Sequence, residues 1–187
     1  MFSDVVHFLL NIVFSLFGIA LILRAWLYAI RMHPFNPYSQ AVVRVTDWAV
    51  QPIRKVIPTG NRIDWPSVLA CWLTAFVFLI LTWVVLTGHI PAPDSLMRAA
   101  LSAVVMVFKW TFNVILWMTL IQAVLSWVNP MSPIMPVLQT LTAPMLDPIR
   151  RVMPNLGGLD LSPLILLVLA QVAMMLLERV AFSLFGV

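Results

Sequence analysis

Long apolar runs alternate with short polar connectors along this chain, and the lengths of the runs set its architecture. Val5 to Leu23 is uncharged over nineteen residues, interrupted only by titratable His7. Trp65 to Gly88 is uncharged over twenty-four, and Ala99 to Val128 is apolar over thirty apart from Lys109 and a few uncharged polar side chains. Leu161 to Leu177 adds seventeen and continues past Glu178 and Arg179 into a further apolar tail. A helix needs about 20 residues to cross the hydrocarbon core. The pattern therefore predicts an all-α membrane protein with four transmembrane helices, the third long enough to tilt or project.

The connectors carry a repeated phrase. Residues 52–58 read P-I-R-K-V-I-P and residues 148–154 read P-I-R-R-V-M-P, with an aspartate six positions later in each, Asp64 and Asp160. Over 52–64 against 148–160, six of thirteen positions are identical. Each copy lies between two apolar runs, so the chain reads as two parallel two-helix repeats, residues 1–95 and 96–187. Upstream of each phrase stands a second shared element, Asn36-Pro37-Tyr38-Ser39 and Asn129-Pro130-Met131-Ser132. In the first copy Gln40, Arg44, Asp47 and Gln51 then recur at helical steps, with Val42, Val45, Ala49 and Ile53 on another face. This predicts a short amphipathic interfacial helix in each connector, N-capped by Ser39 and by Ser132. Pro52 and Pro58, like Pro148 and Pro154, are expected to stop helix propagation. Asp64 and Asp160 each precede a span with a proline close by, the pattern of an N-cap. Their pairing with Arg54 and Arg150, ten residues upstream, is left open.

Charge supplies the orientation. The first connector holds Arg31, Arg44, Arg54, Lys55 and Arg62 and the third holds Arg150 and Arg151, whereas the second has no Lys or Arg before Arg98. Positive residues stay on the cytoplasmic side, which predicts an inner-membrane protein with cytoplasmic repeat connectors and both termini on the opposite side. Composition agrees: 62% hydrophobic against 10% charged, where a soluble domain carries about a quarter charged. The net charge of +4 is gathered in the connectors, which favours anionic lipid headgroups over nucleic acid. Arg54, Lys55, Arg150 and Arg151 either enforce orientation or form a basic site for an anionic lipid, ligand or membrane partner. Arg24 lies about two turns from Arg31 and is expected to anchor at headgroups.

Polar residues inside the spans form stripes: Arg98, Ser102, Lys109 and Asn113 in span three, and His7, Asn11, Ser15 and Gly18 in span one. A charge at membrane depth costs a few kcal/mol, so Lys109 needs a partner or water. By helical rise, Lys109 lies about 27 Å from Trp127 and Glu178 about 24 Å from Ser162. These depths allow a Lys109–Glu178 contact, with Asn11 or Asn113 as further partners; the alternative is a lysine that snorkels to an interface.

Catalytic chemistry is hard to assemble. His7, His33 and His89 stand in three segments without ligand spacing, and single Cys71 reads as helix packing. There is no phosphate loop, nucleophile elbow or paired carboxylate set. Neither an enzyme nor a cofactor is expected.

The doubled N-P-x-S and P-I-R-[KR]-V-x-P phrases, the aspartate before the next span, and R-A-W at 24–26 resemble the YggT family of small multi-pass membrane proteins. The resemblance covers almost the whole chain. It implies links with osmotic or ionic stress tolerance and envelope or division organisation in bacteria. In plastid relatives it implies links with haem attachment to a b-type cytochrome and with nucleoid distribution. The expectation is a non-enzymatic scaffold or assembly factor, with membrane-protein partners or its own copies. The alternative is a channel or transporter component acting as an oligomer.

Overall fold

A computed structural model describes residues 2–33, 36–61, 63–152 and 160–185 of the chain. Arg62 and Pro154, both part of the connector reading above, lie outside the described residues. Six helices follow in order: α1 (Phe2–Ala29), α2 (Pro37–Arg54), α3 (Trp65–Thr87), α4 (Pro93–Val128), α5 (Met135–Val152) and α6 (Ser162–Phe185). Among the described residues there is no strand. Helices α1, α3, α4 and α6 are each long and apolar enough to cross a membrane, at the places the run lengths predict. Helices α2 and α5 occupy the two basic connectors.

The helix boundaries follow from local chemistry, with corrections to the sequence reading. Asn36, and not Ser39, caps α2: its side chain accepts from the Tyr38 N–H at 3.0 Å, and Pro37 takes the first helical position, where its missing N–H costs nothing. Helix α5 starts at Met135, so Ser132 lies in the preceding turn and does not cap it. Pro52 sits inside α2, and Pro144 and Pro148 inside α5. The helices thus run through these prolines into their last turn. At the far end of α1, the Met32 N–H bonds the Leu27 carbonyl and the Arg31 N–H the Tyr28 carbonyl, both at 3.0 Å. This is a Schellman closure with Arg31 at φ 53°, in the left-handed region where glycine is favoured.

Two compact units emerge, one of Met1–Thr111 with Val180–Val187 and one of Phe112–Arg179. In the first, α1 packs along α3 and α2 folds back against both. Its core includes Leu21, Ile22, Val50, Ala70, Cys71, Ala75 and Phe78. Small residues bring the backbones close, as membrane helices require when lipid supplies no hydrophobic force between them. Gly18 is the tightest point: a Cβ there would fall 2.3 Å from the Trp110 ring. In the second unit Val114, Ile115, Met118, Leu138, Leu141, Leu146, Leu166 and Ala170 are buried. The long helices turn Phe8, Val13, Leu16, Leu81, Trp117, Leu164 and Leu169 outward. Leaving such side chains in water costs about 1.5–3 kcal/mol each, and lipid removes that cost.

Candidate functional site

The polar centre of the first unit is Arg24. It stands five residues before the end of α1, and only 4% of its side chain is exposed. Its guanidinium donates to Thr46 Oγ1 at 3.0 Å, to Asp47 Oδ1 at 3.0 Å and to the Val43 carbonyl at 3.4 Å, all on α2. Asp64, at the entrance to α3, lies 3.8 Å away. Thr46 in turn donates to the Val42 carbonyl at 2.7 Å. Arg24 therefore ties α2 down onto α1 and α3; it is not a headgroup anchor. The sequence reading missed this because the partners stand 19 to 40 residues away. The available signal was an arginine five residues inside the end of α1 together with an adjacent Thr-Asp pair on the next helix.

Asp64 is 1% exposed, and besides Arg24 two groups hold it. Arg54 Nη2 approaches both carboxylate oxygens at 3.1 and 3.3 Å, and the Ser67 hydroxyl donates at 2.6 Å. It occupies the N-cap position of α3, yet its side chain makes no capping bond, because these partners take the carboxylate. Asp47 also accepts from Gln51 at 2.6 Å. The Arg24 guanidinium bonded to Asp47 holds its carboxyl below the usual carboxylate range, against the opposing effect of partial burial. Nearby, the Tyr28 hydroxyl donates to the Gly60 carbonyl at 2.9 Å and Arg31 to Asn61 Oδ1 at 3.3 Å. These bonds clamp both ends of the connector.

Beside this network lies a cavity of about 540 Å³, lined by Arg24, Arg44, Arg54, Asp47 and Asp64 together with Ser39, Gln40, Tyr28 and Met32. Three arginines face two aspartates, leaving one net positive charge. Such a lining can receive an anionic or zwitterionic group through charge-assisted hydrogen bonds.

The second unit places the corresponding sequence positions differently. Arg150 donates to Asp160 Oδ2 from Nε at 2.9 Å and from Nη2 at 2.7 Å, a two-nitrogen grip, and reaches Asp147 at 3.6 Å. Asp160 is 44% exposed and accepts from the Ser162 N–H at 3.0 Å, at the start of α6. Burial raises its carboxyl, but the bonds from Ser162 and Arg150 outweigh burial and hold it below the ordinary value. Both Arg–Asp pairings left open by the sequence are thus formed. Thr142, the counterpart of Thr46 at the 96-residue offset, is buried and bonds Gln122 on α4. A neutral glutamine thus stands where the first unit uses Arg24, and Ala143 replaces Asp47.

Of the predicted basic quartet, Arg54 and Arg150 are engaged by their aspartates, while Lys55 and Arg151 are exposed. Asn36 caps α2, Pro37 opens it, and Ser39 lines the cavity. Pro58 is exposed beyond the α2 turn; Asn129 and Pro130 follow α4, with Ser132 two residues on. Asn11 accepts from Ser15 at 3.2 Å on α1, and Asn113 Nδ2 lies 3.9 Å from Met174 Sδ. Lys109 is half-buried on α4 within the first unit, and Glu178 is exposed on α6 within the second. Cys71 is packed against α1, with its sulfur 3.8 Å from the Gly18 carbonyl oxygen. Among the described residues, no three His, Cys, Asp or Glu side chains gather as a metal-ligand set.

The profile of the family described as CCB3/YggT matches residues 3–85 and 101–181. An uncharacterized protein in the proC 3' region of Vibrio alginolyticus is 38% identical, over 89% of this chain and 89% of that protein. The uncharacterized protein YggT of Escherichia coli strain K12 is 37% identical, over 88% of this chain and 85% of that one. An uncharacterized Pseudomonas aeruginosa protein is 32% identical over 93% and 89%. No solved structure matches the chain.

Proposed function

The chain belongs to the CCB3/YggT family, and we propose that it is a non-enzymatic membrane scaffold or assembly factor that grips anionic lipid headgroups at its basic connectors. On this reading α2 and α5 are interfacial helices of two parallel repeats, both on the cytoplasmic face of the inner membrane. Membrane-protein partners assemble on that face, in the service of envelope homeostasis or osmotic stress tolerance.

The observation that carries the reading is the division of labour among the cations. Arg24 and Arg54 are compensated by their ion pairs with Asp47 and Asp64. Arg44 at the cavity and Lys55 at the end of α2 are exposed, and each cation near an anionic surface adds about 1 kcal/mol of attraction. Trp48 and Val45 turn outward on α2, as a helix embedded at the headgroup boundary requires.

The test separates the two groups of cations. Full-length protein in mixed phosphatidylglycerol and phosphatidylcholine nanodiscs would be assayed for phosphatidylglycerol enrichment and for co-purifying membrane proteins. Arg44→Gln with Lys55→Gln and Arg151→Gln should abolish enrichment and co-purification while leaving thermal stability intact. Unchanged enrichment and co-purification in the triple variant would refute the reading.

A further inference from the structure

Several threonine hydroxyls on the long helices share one arrangement in this protein, and two buried hydroxyls lack it. Thr74, Thr87, Thr111 and Thr119 each donate to the carbonyl four residues back, at 2.7 to 2.8 Å. Ser102 Oγ on α4 and Thr82 Oγ1 on α3 are buried without any hydrogen-bond partner. A buried hydroxyl left unsatisfied costs about 1–3 kcal/mol, so two in one place call for an explanation. Both belong to residues lining one cavity of about 270 Å³ inside the first unit, between α3 and α4 near their turn.

The rest of the lining says what would satisfy them. Leu79, Ile80, Trp83 and Leu86 make apolar walls, and Arg98 is exposed beside them. Arg98 and Ser102 are four residues apart on α4, hence one above the other and about 6 Å apart along the axis. From the turn inward the cleft is thus lined by a guanidinium-bearing residue, then by two hydroxyl-bearing residues whose oxygens lie in its wall, among aliphatic and aromatic side chains. That order matches a glycerophospholipid read from its headgroup: phosphate, then ester carbonyls, then acyl chain. A free inorganic anion would match only the first of the three. The site is separate from the Arg24 cavity, which lies at the opposite ends of α1 and α3.

We infer that the α3–α4 cleft is a binding site for one glycerophospholipid of the leaflet on the α3–α4 turn side. Arg98 holds the phosphate, Ser102 and Thr82 donate to the ester carbonyls, and one acyl chain lies along Leu79 and Leu86. Rotation about χ1 turns each hydroxyl from the wall toward the lipid. Binding pairs the two hydroxyls and removes the cost of burying them unpaired.

The experiment uses full-length protein in vesicles containing a diazirine-bearing phosphatidylethanolamine, with adducts mapped by peptide mass spectrometry. The wild type should give an adduct on peptides from α3 and α4 around the cleft. Ser102→Ala combined with the near-isosteric Thr82→Val should reduce that adduct about tenfold, a change equivalent to about 1.4 kcal/mol. Arg98→Gln, at an exposed position where folding is not at stake, should reduce it as much. Inorganic phosphate at millimolar concentration should not compete; competition would show an anion site and overturn the lipid assignment. Equal labelling in wild type and both variants, or adducts only elsewhere, would overturn the site itself.

Discussion

Replacing Arg24 by glutamine should be among the most damaging single changes outside the apolar core. The substitution keeps a hydrogen-bonding side chain but removes the charge that faces Asp47 at 3.0 Å and Asp64 at 3.8 Å. Removing one partner from a buried charge pair costs about 3–5 kcal/mol. Two features place this case at the lower end. Asp47 is 34% exposed, so water screens part of its charge, and Asp64 keeps Arg54 and Ser67. The expected loss is therefore about 3 kcal/mol. Asp47→Ala should cost only about 1–1.5 kcal/mol, because Arg24 retains Thr46, the Val43 carbonyl and Asp64. The double variant removes both charges and leaves no orphan, so its loss should fall short of the sum by about 1–2 kcal/mol. Reversible unfolding in mixed detergent micelles, followed by tryptophan fluorescence, measures all three. Additivity within about 0.5 kcal/mol, or an Arg24→Gln variant as stable as the wild type, would refute the claim that this pair fastens α2.

Three further outcomes follow from the same geometry. Gly18→Ala should lower stability by about 1–3 kcal/mol through overpacking, since the new methyl would fall 2.3 Å from the Trp110 ring; the loss should shrink in a Trp110→Leu background, by thermal unfolding in detergent. Arg31→Gly should stabilise by about 1 kcal/mol by relieving the left-handed conformation, with Asn61→Ala as the control for the exposed 3.3 Å bond. Asp47 and Asp160 both sit below their ordinary carboxylate values, so their contributions are fully present above the unfolded value of about 3.9 and are lost as pH falls through the folded ones. An acid titration of unfolding should show this limb in the wild type and a shallower one in Asp47→Asn and in Asp160→Asn.

What the sequence made legible was whatever depends on neighbours along the chain. Run length alone placed α1, α3, α4 and α6, because a bilayer-crossing helix is a one-dimensional constraint. The ten-residue interval from Arg54 to Asp64, repeated at Arg150 and Asp160, kept the pairing in view, although spacing could not decide it. Residues whose partners come from another helix were not legible. Arg24 looks like any interfacial arginine until α2 folds back and brings Thr46 and Asp47 to it. The cap of α2 was a different kind of miss: Asn36-Pro37 carries the cap-then-proline signal, and the nearby Ser39 drew attention away from it. Pro52 and Pro148 were expected to end their helices. Each instead falls in a final turn, where the carbonyl left without its amide partner can be satisfied by other groups.

The placement of the polar network explains how a small membrane protein can fix a connector helix at all. Between helices in lipid, apolar burial gives no preference for protein over acyl chain, so close packing and buried hydrogen bonds must hold the structure. Along α1 and α3 the packing comes from Gly18, Ala70, Cys71 and Ala75. α2 has Thr46 and Val50 buried and Trp48 stacked on Phe17 of α1 at 5.2 Å, a modest packing surface. Polar bonds therefore add to its attachment, from Arg24 to Thr46 and Asp47 and from Arg54 to Asp64, and the Arg24 guanidinium also lines the cavity beside them. On the proposed headgroup reading, rigidity and binding would be coupled through Arg24: a ligand drawing on it would weaken its hold on Asp47, whereas one bound through Arg44 and Lys55 would leave it intact. The second unit, with Gln122 on Thr142 and Ala143 in place of Asp47, has no such charge to divert. Only the first connector should loosen when an anion competes for its arginine, and hydrogen exchange of α2 against α5, with and without phosphatidylglycerol, would read that difference directly.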